Sequence, residues 1–295
     1  MDGKIFVLLP VHNRKEITEK FIRCLKDQTY GNYHLVLIDD GSTDGTERMV
    51  RRQFEALTVI RGKGNWWWAG ALEQGYRWLK SEPRDPNDVV LIINDDTQFD
   101  SHFLERGLKL LEAHPRTLLL AQCYGQRSRT VLDKGVHADW RRLTFEPAER
   151  PEDLNCLSTR GLFLKAEDFL TVGSFYPRLL PHFISDYEFT IRANRKGFKL
   201  MTDPTLQLWV NEETTWSRKF EGEPFLPSLR RLFSKKSPSN PVVWTFFVAL
   251  ACPWKYKLLN WYRIWMGTFF LMKSHWIKGK KRRRGLDTSG METEK

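Results

Sequence analysis

Two acid pairs each close an apolar run: Asp95-Asp96 follows Val89 to Ile93 and Asn94, and Asp39-Asp40 terminates Leu35 to Ile38. Adjacent acids at the end of a strand suit a divalent cation bridging phosphate oxygens, because Mg²⁺ takes oxygen ligands and shares its shell with substrate. A solvated strand-to-loop corner fits a single Asp-Asp pair equally well. A third acid, Asp186 in Ser185-Asp186-Tyr187-Glu188-Phe189, has Phe183, Ile184, Tyr187 and Phe189 as neighbours in sequence. Partial withdrawal from water raises the basicity of such a carboxylate, which suits a general base. The same position suits the cap of a helix running to Lys196.

The elements that must position these acids follow from the hydrophobic pattern. Val89 to Ile93 shows no alternation and reads as a strand buried on both faces, as in the middle of a parallel sheet. Upstream, Ile5 to Pro10 is a first strand. Asn13 caps a helix through about Gln28, with Ile17, Phe21, Cys24 and Leu25 on one face. Leu35 to Ile38 and Leu57 to Ile60 are further strands, Gly64 to Gly70 is a loop, and Ala71 to Lys80 is a helix. Between the second strand and its helix, Gly41 to Thr46 forms a tight turn with Ser, Thr and Asp available for capping. This β-α-β-α-β-α-β order predicts an α/β domain whose ligand site lies at the carboxyl edge of the sheet. An EF-hand reading of the run from Asp40 fails, since Arg51 stands where the bidentate Glu belongs. No G-x-G-x-x-G follows the first strand and no P-loop occurs, which disfavours dinucleotide oxidoreduction and P-loop chemistry.

The 295 residues are 41% hydrophobic, enough for one substantial core plus an appendage. Net charge +11 and pI near 9.5 point to an anionic partner: nucleic acid, nucleotide or membrane. Much of the basic excess lies after Arg218. Cys24, Cys123, Cys156 and Cys252 are widely separated, so neither a zinc site nor a disulfide framework is expected, and a reduced intracellular setting fits. The amino terminus lacks the form of a secretory signal.

Taken together, Leu8-Leu9-Pro10-Val11-His12-Asn13-Arg14, Ile38 to Thr46, Gly64-Asn65 before Ala69-Gly70-Ala71, Asn94-Asp95-Asp96, and Ser185 to Phe189 with Arg192 and Lys196-Gly197 resemble the family 2 inverting glycosyltransferases. The resemblance covers about residues 4–210. It implies a GT-A fold, a mostly parallel central sheet flanked by helices, and a nucleotide-diphosphate sugar donor. By the same resemblance Asp40 contacts the base, with Pro10, Val11 and Asn13 walling its pocket, and Asn65 and Trp67 are expected beside the donor. Asn94, Asp95 and Asp96 match the DxD-type motif, Asp95 contacting ribose or sugar and Asp96 binding Mg²⁺ or Mn²⁺. Asp186 matches the catalytic base of a Glu-Asp pair, with Ser185 in place of the Glu. A His ligand common in relatives is missing from Leu208 to Thr215. That departure bears on the metal.

On the acceptor side, Thr159-Arg160-Gly161 resembles the segment that shapes the acceptor site, Arg160 meeting either phosphate or a surface acid. Leu179 to Phe183 is a candidate acceptor loop, and Trp66-Trp67-Trp68 offers either stacking planes or core. Domain boundaries are expected at 1–220 (catalytic), 221–241 (linker), 242–284 (amphipathic, Trp-rich) and 285–295 (disordered). Trp254, Leu258, Trp261, Tyr262, Trp265, Phe269, Met272 and Trp276 recur at helical spacing, beside the basic run Lys278 to Arg284. The apolar stretch from Val242 to Cys252 is too short to span a bilayer, so an interfacial helix with a polybasic anchor is expected, or else a helix packed on the catalytic domain or a second subunit. The resulting expectation is a cytoplasmic glycosyltransferase, peripheral on the inner face of the cytoplasmic membrane. It takes a glycan or lipid-linked acceptor, binds no nucleic acid, and is compatible with an oligomer. The competing readings are a non-catalytic glycan- or membrane-binding scaffold and a binder of single-stranded nucleic acid.

Overall fold

The computed structural model describes residues 3–212, 225–235 and 237–289. The chain forms two compact units, Met1–Trp216 and Ser217–Lys295. The first opens with β1 (Ile5–Val11), α1 (Lys15–Lys26), β2 (Tyr33–Asp39), α2 (Thr46–Arg51), β3 (Leu57–Arg61), α3 (Trp67–Ser81) and β4 (Val89–Ile92). It continues through β5 (Thr97–Gln98), α4 (Phe103–Ala113), β6 (Thr117–Gly125), β7 (Val131–Asp133), β8 (Val136–Asp139) and β9 (Thr144–Pro147). The elements β10 (Leu162–Lys165), α5 (Ala166–Val172), α6 (Ser185–Arg195) and β11 (Lys199–Val210) complete it.

Among the described residues nine strands form one sheet in the order β3-β2-β1-β4-β10-β6-β11-β5, with β7 alongside β6. The first four are parallel, as the alternating pattern predicts. Beyond β4 the sheet is mixed rather than parallel, because β10 runs antiparallel to both β4 and β6. That reversal matters for the site. Leu162, at the start of β10, pairs with Ile92 at the end of β4, so the residues before β10 lie beside the residues after β4.

Both faces of the sheet are covered. Along β1, Ile5, Val7, Leu9 and Val11 join one cluster with Phe21 and Leu25 of α1 and Phe103 and Leu108 of α4. Phe6 and Leu8 join the other, with Leu72 of α3, Phe169 of α5 and Phe189 of α6. Alternate strand residues point to opposite faces, so a two-sided cover demands apolar residues without a break, the pattern that identified the central strand.

Two helix starts differ from expectation. Asn13 does not cap α1. It adopts a left-handed φ of 51°, and the first amide of the helix, Lys15 N, donates instead to Asp44 Oδ2 at 2.9 Å. The α3 helix begins at Trp67, not Ala71, because Asp40 caps it from the neighbouring strand end. Neither acid is adjacent in sequence to the helix it caps.

The second unit contains α7 (Phe225–Leu232), α8 (Pro241–Ala251) and α9 (Trp254–Ser289). Part of the stretch expected as linker is therefore helical, and α9 continues past Gly285 into the expected disordered tail. Asn240 caps α8 through Val242 N and Val243 N, with Pro241 in the first turn. Trp261 and Trp265 donate their indole N–H groups to Thr245 O and Thr245 Oγ1, at 3.0 and 3.2 Å, joining α9 to α8. Trp261 thus leaves the free face. Trp254, Leu258, Tyr262, Trp265 and Phe269 remain exposed at successive helical turns. The side chains of Trp276 and of Lys278 to Arg284 lie outside the described residues. No helix among the described residues is long and apolar enough to cross a membrane.

Candidate active site

The carboxyl ends of β1, β2 and β4 bring the acid pairs to one edge. Asp95 is only 2% exposed, accepts from Thr18 Oγ1 at 2.8 Å, and faces Arg14 Nη1 at 3.4 Å. Burial pushes its carboxyl up to about 6, with Arg14 and Thr18 pulling the other way. Asp96 Oδ2 lies 3.3 Å from Arg14 Nη2, while Asp96 Oδ1 is buried with no hydrogen-bond partner in the structure. Such an oxygen is costly unless something donates to it or binds it, so the site fits a cation at that atom. No group of three or more His, Cys, Asp or Glu side chains suited to a metal occurs among the described residues. Asp96 offers one protein ligand, and substrate and water must supply most of the others. Asn94 is half-buried beside them, its carbonyl accepting from Thr97 Oγ1.

Asp40 does not present its carboxylate to a ligand in the expected way. Oδ1 accepts from Gly64 N and Asn65 N at 2.8 and 3.1 Å, and Oδ2 from Trp66 N and Trp67 N at 2.8 and 3.2 Å. A carboxylate has about four acceptor sites, and four amides engage it here. A Cβ at Gly62 would lie 2.5 Å from Asp40 Oδ1, so only glycine leaves room for this cap. Asn13 holds the facing turn: its N donates to Ser42 Oγ at 2.9 Å and its Oδ1 accepts from Thr43 N at 2.8 Å. Pro10 and Val11 are buried within β1 and shape the floor through the backbone, Val11 O accepting from Asp40 N.

The tryptophan triplet divides. Trp66 and Trp68 pack against the core, and Trp68 Nε1 donates to Thr159 Oγ1 at 3.1 Å. Trp67 turns edge-on to His182, ring centroids 6.0 Å apart, and Ala69 N donates to Pro181 O. The start of α3 is thereby tied to the segment that leads into Asp186.

Asp186 lies in the first turn of α6, after Ile184 in a left-handed conformation (φ 57°). Its Oδ1 accepts from Tyr187 N at 3.0 Å, and burial pushes its carboxyl up to about 6. Asp186 does not cap α6 in the usual way, since Ile184 occupies the cap position without a side-chain bond. Arg192, further along the same helix, is fully engaged in structure: it pairs with Glu188 at 2.9 Å and donates to Val172 O and Ser174 O.

Arg160 links the two halves. It precedes Gly161, which has a φ of +84° and where a Cβ would lie 2.4 Å from the Leu208 side chain, so the position requires glycine. Gly161 N donates to Ile92 O, which sets Arg160 beside the Asp96 loop. Burial works against the guanidinium charge, but Asp96, Cys123 and Asp133 outweigh it and hold the group more firmly protonated. Asp186 also feels this charge. Arg14, Thr18 and Asp133 carry no signal of these roles in the sequence. Arg14 closes the motif that begins at Leu8, but a partner 82 positions away leaves no local trace of the pairing.

The sequence profile of Glycosyl transferase family 2 matches residues 6–164. A Haemophilus influenzae protein described as an uncharacterized glycosyltransferase is 25% identical over 218 residues, 71% of this chain and 66% of that protein. The putative teichuronic acid biosynthesis glycosyltransferase TuaG of Bacillus subtilis is 24% identical over 159 residues, 52% of this chain and 60% of TuaG. The chain therefore spans 66% and 60% of the lengths of these relatives. The solved structure of GalNAc-T7 with UDP, GalNAc and Mn²⁺ shares the fold at a TM-score of 0.58 and 13% identity, covering 78% of this chain and 48% of that one. The shared fold is the GT-A arrangement.

Proposed function

The chain belongs to glycosyl transferase family 2, and from that premise we propose that it transfers a sugar, with inversion, from a nucleotide-diphosphate donor to a hydroxyl of a lipid-linked or growing surface glycan. The observation that carries the reading is that one short segment is tied to the elements bearing Asp186 and Asp96: Leu157 N donates to Thr190 Oγ1 of α6, and Gly161 N donates to Ile92 O at the end of β4. Inverting transfer needs these two groups together: charge compensation on the leaving diphosphate, and a base at the acceptor hydroxyl.

In this account Asp186 takes the proton of the acceptor hydroxyl as its oxygen bonds the anomeric carbon, and the nucleoside diphosphate departs from the opposite face. A carboxyl at about 6 is ionised near neutral pH, yet more basic than an ordinary aspartate. Asp96 would hold Mg²⁺ or Mn²⁺ through Oδ1, and when bound the cation neutralises charge on the diphosphate. Arg14 and Arg160 bring charge of the same sign to that region. Asn65, Trp67, Asn94 and Asp95 flank the donor, while Asp40 and Asn13 act as positioning residues that fix the loops around it.

The name of TuaG favours an acceptor in surface polysaccharide assembly. The exposed aromatic face of α9 supports peripheral attachment to a membrane surface, which this reading assigns to the inner face of the cytoplasmic membrane. The test is thermal stabilisation by UDP-, dTDP- and GDP-sugars, with and without Mn²⁺. Stabilisation by at least one donor is expected, and no response to any of them overturns the reading.

A further inference from the structure

Just beyond the Asp39-Asp40 strand end, α2 and the edge strand β3 border a groove of about 610 Å³ lined by Arg48, Arg51, Arg52 and Arg61, together with Glu47 and the 42–45 turn. Arg48, Arg51 and Arg52 lie three and four positions apart on one short helix and its cap, a spacing at which like charges oppose one another. All four arginines are exposed, and the groove sets two acids, Asp44 and Glu47, against the four.

Glu47 is committed to two of the four: Oε1 receives Arg51 Nε at 2.5 Å and Arg61 Nη2 at 2.6 Å, and Oε2 receives Arg61 Nε at 2.7 Å. The hydrogen bond from Arg61, with that from Arg51, holds the Glu47 carboxyl down to about 2, so this buttress stays ionised throughout the physiological range. Asp44 is exposed but its oxygens are engaged, Oδ1 accepting from Thr46 N and Thr46 Oγ1 and Oδ2 from Lys15 N. Arg48 and Arg52 have no ion-pair partner among the described residues. The groove thus holds two oriented guanidinium groups and two uncompensated ones.

We propose that this groove binds a phosphate-bearing anion, at a site separate from the donor diphosphate. Guanidinium groups present paired N–H donors that match phosphate oxygens, and four around one groove give an anion more than a single fork to bind. One wall of the groove is the turn that Asn13 clamps through Ser42 and Thr43. Free phosphate and an anionic lipid headgroup share this chemistry.

The experiment compares wild type with an Arg48→Ala/Arg52→Ala variant, both exposed positions, with UDP and GDP binding to each protein measured separately. One arm measures inorganic phosphate binding by equilibrium dialysis; the other measures flotation with phosphatidylglycerol and phosphatidylcholine vesicles. A tenfold or greater loss of affinity in either arm, at unchanged or raised melting temperature, supports the site. Loss in the phosphate arm identifies a soluble anion, and loss confined to phosphatidylglycerol identifies a lipid headgroup. Equal binding by both proteins in both arms overturns the proposal, as does loss of UDP and GDP binding in the variant, which would make the groove part of the donor site.

Discussion

Arg14 holds Asp96 by one oxygen: Nη2 lies 3.3 Å from Oδ2, while the buried Oδ1 has no hydrogen-bond partner in the structure. The same guanidinium reaches Asp95 Oδ1 at 3.4 Å. One guanidinium therefore reaches both acids and leaves Asp96 Oδ1 for a cation.

Arg14→Ala should destabilise the fold by about 1–3 kcal/mol at pH 7, since it removes the guanidinium that pairs with both buried acids, discounted because Arg14 is itself partly exposed. Mn²⁺ should recover more stability in this variant than in wild type. Thermal unfolding with and without Mn²⁺ reads both effects, and an equal response to Mn²⁺ in the two proteins argues against Asp96 as its ligand.

Asp186→Asn should stabilise the protein while disabling it. A carboxyl raised to about 6 from an ordinary value of 3.8 binds its proton more tightly when folded, so this group's contribution to stability falls as pH rises from about 4 to about 6. Removing the charge should gain about 1–2 kcal/mol at pH 7.5 and almost nothing at pH 4, the full shift being discounted for partial exposure. Melting temperatures at the two pH values test this; a gain of the same size at both contradicts the assignment of cause.

Asp40→Ala removes an acceptor shared by four amides at the start of α3 and should cost about 2–4 kcal/mol. Donor affinity should fall with it because Asn65 and Trp67 lose their anchor. Denaturant unfolding gives the first quantity and donor titration the second. A variant as stable as wild type shows that the loop from Gly64 to Trp67 does not depend on this cap.

The parallel half of the sheet was legible because buried strands leave unbroken apolar runs, and Asp95-Asp96 stood out because acids end such a run. The reversal at β10 was not legible: Leu162 to Lys165 is as apolar as a parallel strand, and its direction is set by pairing with Ile92 and Leu120, distant in sequence. The capping role of Asp40 was hidden for a related reason, since its four partners are backbone amides that carry no residue signature. Trp261 looked like part of a free aromatic face, but its indole bonds Thr245 on another helix.

The exposed face of α9 should bind anionic vesicles. Replacing Trp254, Leu258 and Tyr262 with serine should lower vesicle binding at least several-fold, and high salt should weaken wild-type binding only in part, because screening spares the burial of apolar side chains. Co-sedimentation at two ionic strengths measures both. Unchanged binding by the triple variant removes this face from the membrane account.

The central claim is that Asp186 is the base of a glycosyl transfer. The most direct measurement is release of nucleoside diphosphate from the stabilising sugar nucleotide, with water or glycan as acceptor, by wild type and by Asp186→Asn at saturating donor. The account predicts release by wild type, a loss of roughly 10² to 10⁴-fold in the variant, and unchanged donor affinity. Equal turnover by the two proteins would contradict it.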